Sequence, residues 1–351
     1  MTLVWTIRIL LSGVLGIIIV DACKKDDVAG TTEITITHPI RFTVPAGFPQ
    51  PKYNFSNNPL TEEGFALGRK LFYDGRLSKD GNFPCGSCHQ QFAGFANFEH
   101  NLSHGFNNQF TTRNAPGIFN MAWGTNFHWD GGINNLEVQP LAPITAPNEM
   151  AEDLSNIITK LKKDDEYKKM FKAAFGDNTI NSQRMLWALT QFVVSITSAN
   201  SRYDKMKRGE VSFNPDEQKG YEIFKVNCNA CHTEPLFTDN SYRNNGLPVD
   251  PTLKDYGRMR ITNNKADSLK FKVPTLRNIN LTFPYGHDGR FIGISQVLDH
   301  YSNGIQASPT LDSLLKNKIP LTKNDKFYLY MFLRTLTDST LLNDKRFSEQ
   351  Q

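Results

Sequence analysis

The residues with the most chemistry in this chain are two copies of one short pattern, Cys85-Gly-Ser-Cys88-His89 and Cys228-Asn-Ala-Cys231-His232. Two thiols one helical turn apart can each add to a vinyl group of a single porphyrin. The histidine that follows then sits under the macrocycle, with its imidazole on the iron. The competing readings are a zinc site and a redox Cys-x-x-Cys pair. Zinc needs four ligands around one ion, and a histidine directly after the second cysteine is poorly placed to join both thiols. Two separate copies, each with its own histidine, favour covalent haem. The expectation is two haem c groups, held by Cys85, Cys88, Cys228 and Cys231, with His89 and His232 as proximal iron ligands.

The rest of the chain has to build two pockets around these groups. Its 351 residues suffice for two domains, each with its own core. Four of the five cysteines belong to the motifs and the fifth is Cys23, so no disulfide framework is left. The net charge of +4 is spread without a Lys/Arg block and gives no case for nucleic acid. Haem c is attached outside the cytoplasm, so an export signal is required. Residues 1–22 read as one, with Arg8 followed by an apolar run from Ile9 to Val20. That run falls short of the roughly twenty residues a spanning helix needs. It ends in Val20-Asp-Ala-Cys23, which resembles a lipoprotein box. Cys23 is therefore expected to carry a lipid anchor, residues 23–45 to form a tether, and the protein to be a periplasmic or cell-surface lipoprotein of a Gram-negative bacterium.

Each motif follows a helix whose start is written in the sequence. Thr61 reads as an N-cap with Glu62 and Glu63 in the first turn, and Phe65, Leu67, Leu71 and Phe72 keep helical spacing towards Cys85. Asn214-Pro-Asp-Glu217 opens a second helix that runs through Tyr221 and Phe224 to Cys228. This parallel is a weak internal repeat, with 46–205 and 206–351 as the two haem domains. Leu154, Ile157, Ile158 and Leu161, and again Leu186, Leu189, Val193 and Ile196, read as core faces of further helices. A closing helix is expected around 325–337. Residues 90–150 and 235–295 lack helical period, and stretches of that length are usually functional. The fold class is mainly α: two cytochrome c-like haem domains with long irregular loops.

Those irregular stretches carry a resemblance. Ser103-His-Gly105, Arg113-Asn-Ala-Pro116, Trp129-Asp-Gly131, Gln139 to Met150, Phe271 to Asn278 and Leu281 to Gly289 occur, in order with both motifs, as in the bacterial di-haem cytochrome c peroxidase and MauG family. The resemblance implies that the N-terminal haem is the peroxide site. Glu149 is then the acid–base group, with Gln139 beside it and Trp129 near the same pocket. His104 becomes a removable distal iron ligand, with His100 the competing residue. It implies an electron-entry role for the C-terminal haem, whose distal ligand in the peroxidases is commonly Met. Here Tyr301 stands at that position, as in the MauG group, with His300 and Met259 the alternatives. A calcium ion is implied between the domains, on the Asn114 side chain and the carbonyls of Thr282 and Pro284. Arg113, Arg277, His287 and Asp288 become candidates for the haem propionates, while His38 and His128 receive no role. A tryptophan that MauG-type relatives carry before the second motif is replaced by Val226-Asn227.

The expected activity is reduction of hydrogen peroxide to water, with electrons from a small redox protein such as a cytochrome c or cupredoxin. A MauG-like oxidase acting on a protein or organic substrate is the alternative, and a non-catalytic electron carrier or peroxide sensor is the third reading. The resemblance also admits a homodimer, although no residue marks a self-complementary face.

Overall fold

The computed structural model describes residues 37–98 and 100–350. The expected export signal and the lipid-bearing Cys23 fall outside the described residues. Helices dominate: α1 (Glu62–Tyr73), α2 (Cys85–Cys88), α3 (Leu141–Thr145), α4 (Leu154–Lys162), α5 (Asp165–Phe175), α6 (Ser182–Ser195), α7 (Arg202–Lys207), α8 (Pro215–Asn227), α9 (Met259–Thr262), α10 (Ile294–Asp299) and α11 (Lys323–Arg334) are joined by loops and short 3₁₀ turns. One two-residue antiparallel ladder pairs β1 (Tyr242–Arg243) with β2 (Phe271–Lys272). The caps read from the sequence do start the helices. Thr61 accepts the Gly64 N–H, and Asn214 and Glu217 form a reciprocal capping box. The closing helix begins at Lys323, two residues before the expected start, because Thr322 and Asp325 form another such box.

The internal repeat is stronger in three dimensions than in sequence. In the first half α1 packs on α6, and in the second α8 packs on α11, through the same joint. A Cβ on Gly68 would lie 1.9 Å from the carbonyl oxygen of Ala188 and 3.0 Å from the Cβ of Phe192. A Cβ on Gly220 would lie 1.9 Å from the carbonyl oxygen of Tyr328 and 2.8 Å from the Cβ of Phe332. Only glycine permits backbones to approach so closely. One turn further on, Phe72 meets Phe192 and Phe224 meets Phe332, each with ring centroids 5.0 Å apart. Asn120 and Asn278, both left-handed, then tie the loops to the ends of α6 and α11, their N–H groups bonding to the carbonyls of Ile196 and Leu336.

Each joint has its own apolar core. Leu67, Leu71, Phe72, Leu189 and Phe192 anchor one; Tyr221, Phe224, Phe237, Phe332 and Leu333 anchor the other. The chain's last residues return to the first half, where Leu341 and Phe347 pack into its core. Arg277 is fully buried and makes a two-pronged bond to Asp204 of α7 at 2.8 and 2.9 Å. Its Nε donates to the carbonyl of Pro235.

Candidate functional site: a cavity joining two haem-attachment motifs

Between the halves runs a cavity of about 880 Å³, lined by both Cys-x-x-Cys-His motifs. All four thiols are free. Burial pushes Cys85 and Cys228 each up to about 12. The two histidines are held alike. The Nδ1 of His89 lies 2.9 Å from the carbonyl of Phe95, and that of His232 lies 3.3 Å from the carbonyl of Phe237 and 3.1 Å from that of Pro274. A Nδ1–H donated to a carbonyl fixes the tautomer and leaves Nε2 as the ligating nitrogen. Burial also lowers both imidazole pKa values, favouring the neutral form a metal needs. No group of three or more His, Cys, Asp or Glu side chains among the described residues could hold a metal, which fits a zinc site poorly. The thiol spacing and the oriented imidazoles fit haem c.

The first motif shares its part of the cavity with His104, Trp129, Gln139 and Glu149. Glu149 lies in the turn after α3, against the His104 loop. The Phe106 N–H donates to its carbonyl at 2.7 Å, and a Cβ on Gly105 would lie 2.6 Å from its Cα. Burial raises the Glu149 carboxyl above the usual glutamate range. It has no hydrogen-bond partner among the described residues. The Trp129 Nε1–H donates to the carbonyl of Asn114. His104 reaches the cavity wall with its Nδ1 2.6 Å from the Asn108 side-chain oxygen. His100 is exposed and does not line the cavity, although its ring stands only 5.4 Å from that of His104.

Around the second motif, α10 runs into a π-turn over His300–Gly304 that carries Tyr301; such turns recur at functional sites. The Tyr301 hydroxyl is enclosed. Burial pushes it up to about 12, with a smaller upward contribution from the facing Cys228 and Cys231. His300 also lines the cavity, but its Nε2 is 2.9 Å from the carbonyl of Asn245. Met259 does not line it. Asn114, Thr282 and Pro284 do, and neither carbonyl of the latter two accepts a hydrogen bond among the described residues.

The propionate candidates are already paired within the chain. Arg113 bridges Asp130 and Asp255 at 2.6 Å each, Arg277 holds Asp204, and Asp288 holds Arg290. His287 is stacked on Phe271 at 3.7 Å, and burial pushes it down to about 4. Two cavity residues had no role from sequence. Lys272 is half-buried with its Nζ 3.1 Å from the carbonyl of Asn126, and desolvation lowers it to about 8. The Nε2 of His128 lies 3.3 Å from that of Gln139. The only sequence signal for His128 was its place directly before Trp129-Asp-Gly131.

The model of the di-haem cytochrome c peroxidase family matches residues 62–212. The methylamine utilization protein MauG of Methylorubrum extorquens is 34% identical over 304 residues, covering 84% of this chain and 83% of that protein. The cytochrome c551 peroxidase of Nitrosomonas europaea is 34% identical over 279 residues, covering 77% and 79%. A crystal structure of a MauG-like protein associated with microbial copper homeostasis superposes with a TM-score of 0.82 at 33% identity, covering 88% of this chain and 99% of that one. The chain belongs to the di-haem cytochrome c peroxidase family, and its cofactors are two haem c groups.

Proposed function

We propose that this enzyme reduces hydrogen peroxide to water at the first motif and draws its electrons through the second. The observation that carries the reading is the half-buried carboxyl of Glu149, without a hydrogen-bond partner among the described residues and in the same cavity as Cys85, Cys88 and His89. When bound, the haems supply the electrons and the iron on which peroxide is held. The chain's own residues handle protons. Glu149, as carboxylate, takes the proton from the peroxide oxygen nearest the iron and returns it to the outer oxygen, which leaves as water. Two protons from solvent and two electrons turn the remaining oxygen into the second water. Gln139 orients the peroxide, and desolvation raises the Glu149 carboxyl above the usual glutamate range.

His89 and His232 would hold the two irons, with His104 as a removable further ligand at the first haem and Tyr301 as a further ligand at the second. The two haem modules correspond to 46–205 and 206–351, with the Leu341–Phe347 return docking one on the other. The donor is a small redox protein that meets the exported enzyme in the periplasm, and a lipid at Cys23 holds it to a membrane. Fatty-acid labelling that persists in Cys23→Ser would remove the anchor. Rapid mixing with peroxide and a reduced cytochrome c tests the activity: fast, stoichiometric oxidation of the donor is expected. The relation to MauG and the enclosed Tyr301 favour a second reading, an oxidase acting on a larger substrate. A long-lived oxidised state without donor turnover in the same experiment would decide for it.

Calcium belongs to the same proposal. The Asn114 side-chain oxygen and the carbonyls of Thr282 and Pro284 are hard donors of the kind it takes. One equivalent of calcium is expected in purified protein and should be lost in Asn114→Ala. Equal calcium content in the two proteins would refute the assignment.

A further inference from the structure

His128 entered the cavity without a role, and the repeat shows what is unusual about it. The loop from Phe127 to Ile133 and the loop from Tyr285 to Phe291 are each closed by an antiparallel bridge between their end residues. Their sequences align as Phe-His-Trp-Asp-Gly-Gly-Ile and Tyr-Gly-His-Asp-Gly-Arg-Phe. Their backbones also correspond, with φ of +68° at His128 against +92° at Gly286, and +69° at Gly131 against +67° at Gly289. The second half fills the first left-handed position with glycine, which adopts it freely. The first half places an imidazole there, in a backbone region that side chains other than glycine rarely adopt.

What the imidazole gains is the contact with Gln139. Its Nε2 and the Gln139 amide nitrogen are 3.3 Å apart. This is the only hydrogen bond of the Gln139 side chain among the described residues. Burial lowers the pKa of His128, and the nearby Arg113 and Lys272 act in the same sense against the opposing pull of Asp130 and of the Gln139 backbone. The Gln139 amide nitrogen can only donate, so the ring nitrogen facing it is the acceptor.

Resting on the peroxidase reading above, we propose that His128 is a positioning residue: by accepting the Gln139 amide N–H, it leaves the Gln139 carbonyl as that side chain's free group. The pocket then offers acceptors, the carbonyl and the Glu149 carboxylate, to a ligand that arrives with protons. Neutral hydrogen peroxide suits such a pocket. A small anion needs donors and does not.

The test is His128→Phe, which removes the nitrogen and keeps a ring, with His128→Asn as the conservative variant. Asparagine tolerates a positive φ and supplies an acceptor oxygen. Fluoride affinity of the first haem, followed by absorption in half-reduced protein, is the readout independent of turnover. In His128→Phe the released amide can donate to the anion, so fluoride should bind about tenfold more tightly, one hydrogen bond's worth. The KM for peroxide should rise by a similar factor, with kcat less affected. His128→Asn should return both values towards those of the unaltered protein. If His128→Phe fails to mature, His128→Gly carries the same expectation without strain at φ +68°. Equal fluoride affinities, or fluoride binding to neither protein, overturn the proposal. Absence of peroxide turnover alongside a shifted fluoride affinity would instead count against the peroxidase reading and leave His128 in its role.

Discussion

Glu149→Gln is expected to keep both haems and lose peroxide turnover by roughly 10²–10⁴-fold, the usual contribution of a positioned acid–base group. The substitution preserves size and one hydrogen-bonding oxygen, so the turn after α3 and the Gly105 contact should survive. What disappears is the group that accepts one proton and returns it. The pH profile provides a second reading. Burial raises the Glu149 carboxyl, and the base form exists only above its pKa. Turnover should therefore fall as pH drops through a midpoint higher than that of an ordinary glutamate, and this acidic limb should be missing from Glu149→Gln. A variant that turns over peroxide like the unaltered enzyme, with its acidic limb intact, would remove Glu149 from the chemistry.

How much of this was legible in the sequence depended on whether the information was local. The Cys-x-x-Cys-His motifs carry their chemistry in five residues, and the caps at Thr61 and Asn214 bond within three positions. Both could be read directly. Glu149 could not be read from its own surroundings, since an acid in a turn reads as a surface residue; its enclosure comes from the loop carrying Gly105 and Phe106. Arg277 was a propionate candidate by resemblance. Its partner Asp204 is 73 positions away, a distance no spacing rule reaches. The return of Leu341 and Phe347 to the first core was hidden for the same reason. His128 escaped notice because its significance lies in a backbone angle and a neighbour across a loop.

With Tyr301 as the proposed ligand of the second haem, replacing it should change the potential of that haem most. The hydroxyl is buried beside Cys228 and Cys231, and burial holds it up at about 12, so the cavity alone does not favour phenolate. Ferric iron would. A bound phenolate stabilises the ferric form more than a thioether does, whereas histidine–methionine ligation raises the potential. The π-turn at His300–Gly304 and the hydrogen bond from the Ile319 N–H to the Tyr301 carbonyl fix the backbone, so a methionine at 301 would start from the same place. Tyr301→Met is expected to raise the potential of the second haem by on the order of 10² mV, within the span that axial ligands command. Spectroelectrochemistry on the two haems reports this directly, because the potential of the first should move little. Transfer from the second haem to the first would then become less favourable, slowing peroxide reduction while easing reduction by the donor. If the potential and the ferric spectrum of the second haem are the same in both proteins, Tyr301 is a packing residue and the iron takes its ligand elsewhere.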